Sequence, residues 1–212
     1  MPTHKLGEAA YGIDDAEFEY VPDAVTCSDA EYAELEAVLL RNPKKHVTVF
    51  GKTHHPKTGN RYKRPRHEAT YNKDYTYSGV TLKAETVSNT LVDKAMAHAN
   101  AGREDHERFK WCMVNLYTNG EDNVGMHRDN ERDVKGNEVR TYSFGADRHF
   151  VIRERVAGKR KRDTPKPMRA VFCLAHSSCG VMRGPAAQVK WEHGLPKMKR
   201  VTRSRISITP RM

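Results

Sequence analysis

From Phe109 onward the chain is a succession of short apolar runs, each cut off before a helix could form. Trp111–Tyr117, Val139–Phe144, His149–Arg153, Ala170–Leu174 and Arg205–Thr209 are separated by Gly, Pro, Asn or charged turns. Runs of that length bounded by turn formers read as strands. The helical signals all come earlier. Ser28 followed by Glu31 makes a capping box, and Tyr32, Leu35, Val38 and Leu39 recur at helical spacing until Asn42-Pro43 ends the element. A second helix is predicted from Glu85 to Asn100, with Val87, Leu91, Ala95, Met96 and Ala99 on one side, closing at Gly102. Helices first and many short strands afterwards argue for a mainly β, α+β fold, an antiparallel barrel or jelly roll with the N-terminal helices packed outside. Residues 1–20 read as a flexible acidic N-terminus and 21–212 as a single domain.

The chain of 212 residues has room for a sizeable core. No stretch approaches the roughly 20 apolar residues of a membrane span, and the first 20 residues lack the apolar segment of a secretory signal. Cys27, Cys112, Cys173 and Cys179 form no CxxC pair and no zinc spacing. Three of them sit in apolar surroundings, which suits packed thiols in an intracellular protein, cytoplasmic or nuclear. The net charge of +10 is unevenly spread. The first 40 residues are acidic, whereas Lys57–Arg66, Arg153–Arg169 and Lys190–Arg205 are strongly basic. That clustering favours a polyanionic partner, nucleic acid first, against the alternative of a solvated basic surface. The polar stretch Lys159–Pro167 reads as an exposed hairpin loop.

His127 and Asp129 are two residues apart, so on a strand both side chains leave from one face. A further histidine would complete a set of two histidines and one carboxylate, which leaves three positions open on Fe(II) for a bidentate 2-oxo acid and dioxygen. His193 is the first candidate for that ligand; His149 and His176 are rivals. Taken alone, the pair reads as a hydrogen-bonded surface couple. In Arg205–Arg211, alternation puts Arg205, Ser207, Thr209 and Arg211 on one face and Ile206 and Ile208 on the other. The isoleucines can pack against helices while two arginines look into a barrel, where a dicarboxylate would suit them. The same strand read alone is an edge strand with exposed basic residues, Pro210 fitting an edge.

Together these segments resemble the AlkB family of Fe(II)/2-oxoglutarate-dependent nucleic-acid demethylases. The resemblance rests on Asn115-x-Tyr117, His127-x-Asp129, a distal His193 and Arg205-(five residues)-Arg211 in order. It extends to Val49-Phe50-Gly51-Lys52, Pro65-Arg66, Ala69-Thr70-Tyr71, Tyr75–Gly79, Asn130-Glu131 and Ser143–Ala146, and covers about Val47 to Met212. The branch that repairs alkylated double-stranded DNA is the most similar. The resemblance implies a double-stranded β-helix (jelly roll) with a nucleotide-recognition region at about 46–80. It implies that His127, Asp129 and His193 bind iron, and that Asn115, Tyr117, Arg205, Thr209 and Arg211 hold 2-oxoglutarate. Tyr75, Tyr77, Asn130 and Glu131 would line a pocket for a flipped base, with Arg66 near the lesion. Phe50, Gly51 and Lys52 would form a hairpin filling the gap in the duplex, and Lys197, Lys199 and Arg200 a loop gripping phosphate. Two positions depart from the family pattern: Ser207 stands where asparagine is usual and Asn130 where aspartate is common.

The activity so implied is oxidative demethylation of N-alkylated bases such as 1-methyladenine and 3-methylcytosine in DNA, using Fe(II), 2-oxoglutarate and O2, by a monomer. A base atom inside a duplex is reached only by taking the base out of the stack. The basic clusters suit the phosphates, Tyr75 and Tyr77 suit stacking, and Glu131 suits a cationic base. Two alternatives compete: an RNA- or single-strand-specific demethylase of the same family, and a non-catalytic nucleic-acid-binding module. Tyr71, Tyr75 and Tyr77 could equally be strand aromatics packed into the core.

Overall fold

The structure, a computed structural model, describes residues 3–5 (backbone only), 16–47, 52–129, 138–156 and 166–212. Phe50, Gly51, Asn130, Glu131 and most of Lys159–Pro167 lie outside these described residues. In chain order the elements are β1 (Thr3–Lys5), β2 (Glu17–Val21), α1 (Asp29–Arg41), β3 (His67–Tyr71), β4 (Tyr75–Tyr77), β5 (Val80–Leu82) and β6 (Ala84–Glu85). There follow α2 (Thr90–Asn100), β7 (Trp111–Tyr117), β8 (Val124–His127), β9 (Glu138–Gly145) and β10 (Arg148–Glu154). The last are β11 (Arg169–Leu174), β12 (Ser178–Arg183), β13 (Trp191–Leu195) and β14 (Arg205–Arg211). An eight-stranded sheet runs β1-β2-β12-β9-β14-β7-β3-β6, a four-stranded sheet runs β11-β10-β13-β8, and β4-β5 is a separate hairpin. This is the mainly β jelly-roll arrangement expected. No helix among the described residues is long and apolar enough to cross a membrane.

The period-two alternation of the central strands sorts the chemistry onto two faces. Cys112, Val114 and Leu116 of β7, Tyr142 and Phe144 of β9, and Ile206 and Ile208 of β14 join Leu35, Leu39, Leu91, Val92, Ala95 and Ala99 of the helices in one core. The intervening Met113, Asn115, Tyr117, Thr141, Arg205, Ser207, Thr209 and Arg211 line a cavity on the opposite face. Burial of the apolar face, at about 25 cal/mol per Å², therefore fixes the direction of every polar group on the other. Between the sheets, one end is filled by Phe18, Phe150, Ile152, Leu174, Met182 and Trp191. Gly180 makes room there, since a Cβ at that position would lie 2.8 Å from the Phe18 ring. The other end is the cavity.

Four expectations change. Residues 17–20 belong to β2, paired with β12, so the chain joins the sheet earlier than the boundary at residue 21. Helix α2 starts at Thr90, not Glu85, because the Asn89 side chain accepts from the N–H groups of Leu91 and Val92 and caps it there. Ala84–Glu85 is instead a strand parallel to β3, and Val87, 71% exposed, belongs to no core face. Strand β14 is no edge, since it lies between β7 and β9. It pairs with β9 only over Arg205–Ile208, so Pro210 sits past the end of that pairing, where no ladder to β9 needs its missing N–H. All four cysteines are free; Cys112 and Cys179 are buried, Cys27 is partly buried and Cys173 is exposed.

Candidate metal centre and its pocket

The cavity, open to solvent, is lined from both sheets and from the β4-β5 hairpin. The four-stranded sheet supplies His127 and His193, which are direct cross-strand partners in the β8–β13 pair. Their rings lie 4.4 Å apart, with His193 stacked on Phe150. Asp129 lies two residues past the end of β8, so strand alternation does not aim it. The backbone N–H of Asp129 donates to Gln188 Oε1 at 2.8 Å, and Arg211 Nη2 reaches its Oδ2 at 3.0 Å. Asp129 Oδ1 is 3.6 Å from His127 Nε2 and Oδ2 is 3.4 Å from His193 Nε2. The three donor atoms lie within 4.8 Å of one another. His149 and His176 are exposed and line no part of the cavity, and His176 Nδ1 accepts from the Gly145 N–H.

The electrostatics suit a divalent cation. His127 Nδ1–H donates to the Gly125 carbonyl at 2.9 Å, which leaves the Nε2 lone pair aimed at the centre. Burial and the neighbouring His193 push the His127 imidazole down to about 4, against the pull of Asp129. Burial alone would raise the Asp129 carboxyl, but Arg211 and the two histidines outweigh it and hold it well below the usual carboxylate range. At neutral pH a neutral imidazole therefore faces an ionised carboxylate. Two nitrogens and one carboxylate, with the rest of the coordination sphere open to a cavity, form a donor set that fits Fe(II).

Arg205 is the second feature of this wall. It is 1% exposed, its Nε donates to Ser143 Oγ at 2.8 Å, and its Nη2 is buried with no hydrogen-bond partner. Burial lowers its pKa to about 10, with the Tyr117 ring opposing and Arg148 reinforcing the shift. A buried guanidinium with an orphaned donor is costly, and a carboxylate is the group that relieves it. The site thus fits both a metal and an anionic cosubstrate, with Asn115, Tyr117, Ser207, Thr209 and Arg211 around it.

The cavity is also lined by Tyr75, Tyr77 and Arg66. Tyr75 is buried, stacked with Tyr77 at 5.0 Å and tilted against Trp111 at 4.8 Å, so it serves core and cavity at once. Arg66 Nε donates to Asn115 Oδ1 at 3.0 Å. Behind Arg66 and Tyr77 the structure adds a pair that sequence reasoning missed, Arg64 and Glu68, joined at 2.9 Å. No period marks the pair in the sequence, since Arg64 precedes β3 and only Glu68 lies in it.

Lys52 is exposed and lines no part of the cavity. Lys199 and Arg200 are exposed in the β13–β14 loop, and Lys197 pairs with Glu121 at 3.0 Å. That loop is fastened to the β7–β8 turn by hydrogen bonds from the Gly120 N–H to Val201 O and from the Met198 N–H to Gly120 O. A Cβ at Gly120 would lie 1.8 Å from Met198 O. Arg148, a third residue missed, is fully buried and donates to the carbonyls of Asn119, Asp122 and Pro196, joining the same two segments. Asp122 accepts from Lys44 at 2.6 Å and from Thr118.

Comparison with known proteins agrees with this geometry. The family model of the 2OG-Fe(II) oxygenase superfamily matches residues 18–211. The chain is 35% identical over 184 residues to the DNA oxidative demethylase ALKBH2 of Mus musculus, covering 83% of this chain and 70% of that protein. It is 33% identical to the protein of that name from Homo sapiens, covering 83% of this chain and 64% of the human one. It is 31% identical over 154 residues to the human alpha-ketoglutarate-dependent dioxygenase alkB homolog 3, covering 70% of this chain and 51% of the relative.

Proposed function

Because the chain belongs to the 2OG-Fe(II) oxygenase superfamily and, within it, to the AlkB family, we propose that it removes N-alkyl groups from bases of double-stranded DNA, acting as a monomer. The observation that carries the proposal is one cavity holding three things. These are the convergent His127, Asp129 and His193, the buried Arg205 with its unpaired Nη2, and the stacked Tyr75 and Tyr77.

His127, Asp129 and His193 would hold Fe(II), and Arg205, Arg211, Asn115, Tyr117 and Thr209 would hold 2-oxoglutarate. Bound there, these groups supply an oxidation in which O2 and 2-oxoglutarate yield succinate and carbon dioxide while an N-methyl carbon is hydroxylated and then leaves as aldehyde. The protein's own contributions are orientation and charge. Arg205 pairs with a cosubstrate carboxylate and is relieved of its unpaired burial. Arg211 keeps Asp129 ionised and aimed inward. Tyr75 and Tyr77 offer an aromatic wall to a base taken out of its stack. Exposed Lys199 and Arg200, on a loop pinned through Gly120 and Arg148, are suited to phosphate. By the family resemblance Asn130 and Glu131 complete the base pocket, and Phe50, Gly51 and Lys52 probe the duplex.

The test compares one 3-methylcytosine oligonucleotide in single- and double-stranded form, with succinate as a second readout. Faster repair of the duplex supports the proposal. Repair of the single strand or of RNA alone would favour the strand-specific reading, and binding without succinate would favour a non-catalytic module.

A further inference from the structure

Glu68 is a carboxylate placed behind the wall of the base pocket. It is 3% exposed and lines no part of the cavity, while Arg66 and Tyr77 in front of it do. Arg64 Nη1 donates to both of its oxygens, at 2.9 and 3.0 Å. Arg66 Nη2 lies 2.7 Å from Oε1, and the Tyr77 hydroxyl donates to that same oxygen. The Tyr77 hydroxyl, its proton so committed, accepts from Arg66 Nη2 at 3.3 Å. The Arg64 guanidinium also lies over the Tyr77 ring, 3.5 Å from its centroid. One carboxylate thus fixes the rotation of the Tyr77 hydroxyl and the plane of the Arg66 guanidinium, two polar groups of this wall.

The same contacts set the charge of the wall. Two guanidiniums and one carboxylate leave a single net positive charge; an amide in place of the carboxylate leaves two. A cytosine alkylated at N3 or an adenine alkylated at N1 carries a positive charge that an unopposed Arg66 would repel, and an uncharged adduct does not. We propose that Glu68 is a positioning residue that determines how well the pocket accepts a cationic base relative to a neutral one, acting through Arg66 and Tyr77. The inference rests on the nucleic-acid reading above.

The experiment measures kcat/KM on two duplexes, one with 3-methylcytosine, cationic at neutral pH, and one with 3,N4-ethenocytosine, neutral there. Wild type, Glu68→Gln and Arg64→Gln are compared. A ratio taken on one preparation does not depend on the fraction that is folded. Glu68→Gln should lower the cationic-to-neutral ratio about tenfold, the size expected of one unit charge in a partly dried site. Arg64→Gln removes a cation from the same cluster while leaving every residue of the cavity lining in place and should raise the ratio, which keeps the test alive if Glu68→Gln does not fold. Ratios that stay at the wild-type value, or that fall together in both variants, would overturn the inference alone. A wild type that processes neither duplex would overturn the functional reading and this inference with it.

Discussion

Replacing Arg205 by methionine separates stability from function. Arg205 is fully buried, and its pKa drops from 12.5 to about 10. That displacement corresponds to about 3 kcal/mol of unfavourable charge burial at neutral pH. Methionine fills a similar volume and forfeits the Nε bond to Ser143, worth about 1 kcal/mol. The ligand-free Arg205→Met protein should therefore be more stable than wild type by roughly 2 kcal/mol, or about 5 °C in Tm for a chain of this size. Cosubstrate binding should run the other way. At a concentration one hundred times its Kd, 2-oxoglutarate stabilises the wild type by about 2.7 kcal/mol. Losing a charge-assisted pair, about 1.5–3 kcal/mol, weakens binding roughly 13- to 160-fold, so the variant at that concentration gains only about 0.3–1.3 kcal/mol, or about 1–3 °C against about 7 °C for wild type. The assay is thermal unfolding with Mn(II) replacing Fe(II) to prevent turnover, with and without 2-oxoglutarate. A variant that unfolds earlier than wild type, or that 2-oxoglutarate stabilises as much, would refute the argument that Arg205 is an unpaired cation held for a carboxylate.

Three further outcomes follow from named contacts. The His127 imidazole, held down to about 4 against 6.5 when unfolded, contributes stability that is complete above about pH 6.5 and lost as pH falls toward 4. In metal-free protein the unfolding midpoint should therefore drop more steeply across that window in wild type than in His127→Ala. Gly120→Ala drives a Cβ into Met198 O and must displace the loop of Lys197, Lys199 and Arg200. Duplex binding should weaken and its log–log salt slope become shallower by about one to two, measured by fluorescence anisotropy. Leu91→Ala should cost about 2–5 kcal/mol in urea unfolding, whereas Val87→Ala, just outside α2, should stay within about 0.5 kcal/mol.

The parts of the molecule legible in its sequence are those set by local period and local chemistry. The capping box of Ser28 and Glu31 begins α1 as expected because both partners lie within one turn. The two faces of β14 follow from alternation alone, Ile206 and Ile208 going to the helices and Arg205 and Arg211 to the cavity. What the sequence hides is long-range register. That His193 pairs across from His127, while His149 and His176 do not, depends on how β13 docks on β8. The same limit explains the edge reading of β14, since proline says nothing of where the pairing with β9 stops. It explains Arg148 too, a charged residue opening a strand, whose three carbonyl partners come from two other segments. The helix limit at Thr90 was missed for a local reason, because apolar spacing continues back through Val87 and hides the Asn89 cap.

The most direct test of oxidative demethylation at this centre is mass spectrometry of a duplex carrying one 3-methylcytosine, incubated with protein, Fe(II) and ascorbate, with and without 2-oxoglutarate. The expected result is loss of the methyl group only with 2-oxoglutarate, matched by at least one succinate per repaired base and absent in His127→Ala. Methyl loss without 2-oxoglutarate, full activity in His127→Ala, or succinate formed while the methyl group stays in place would contradict it.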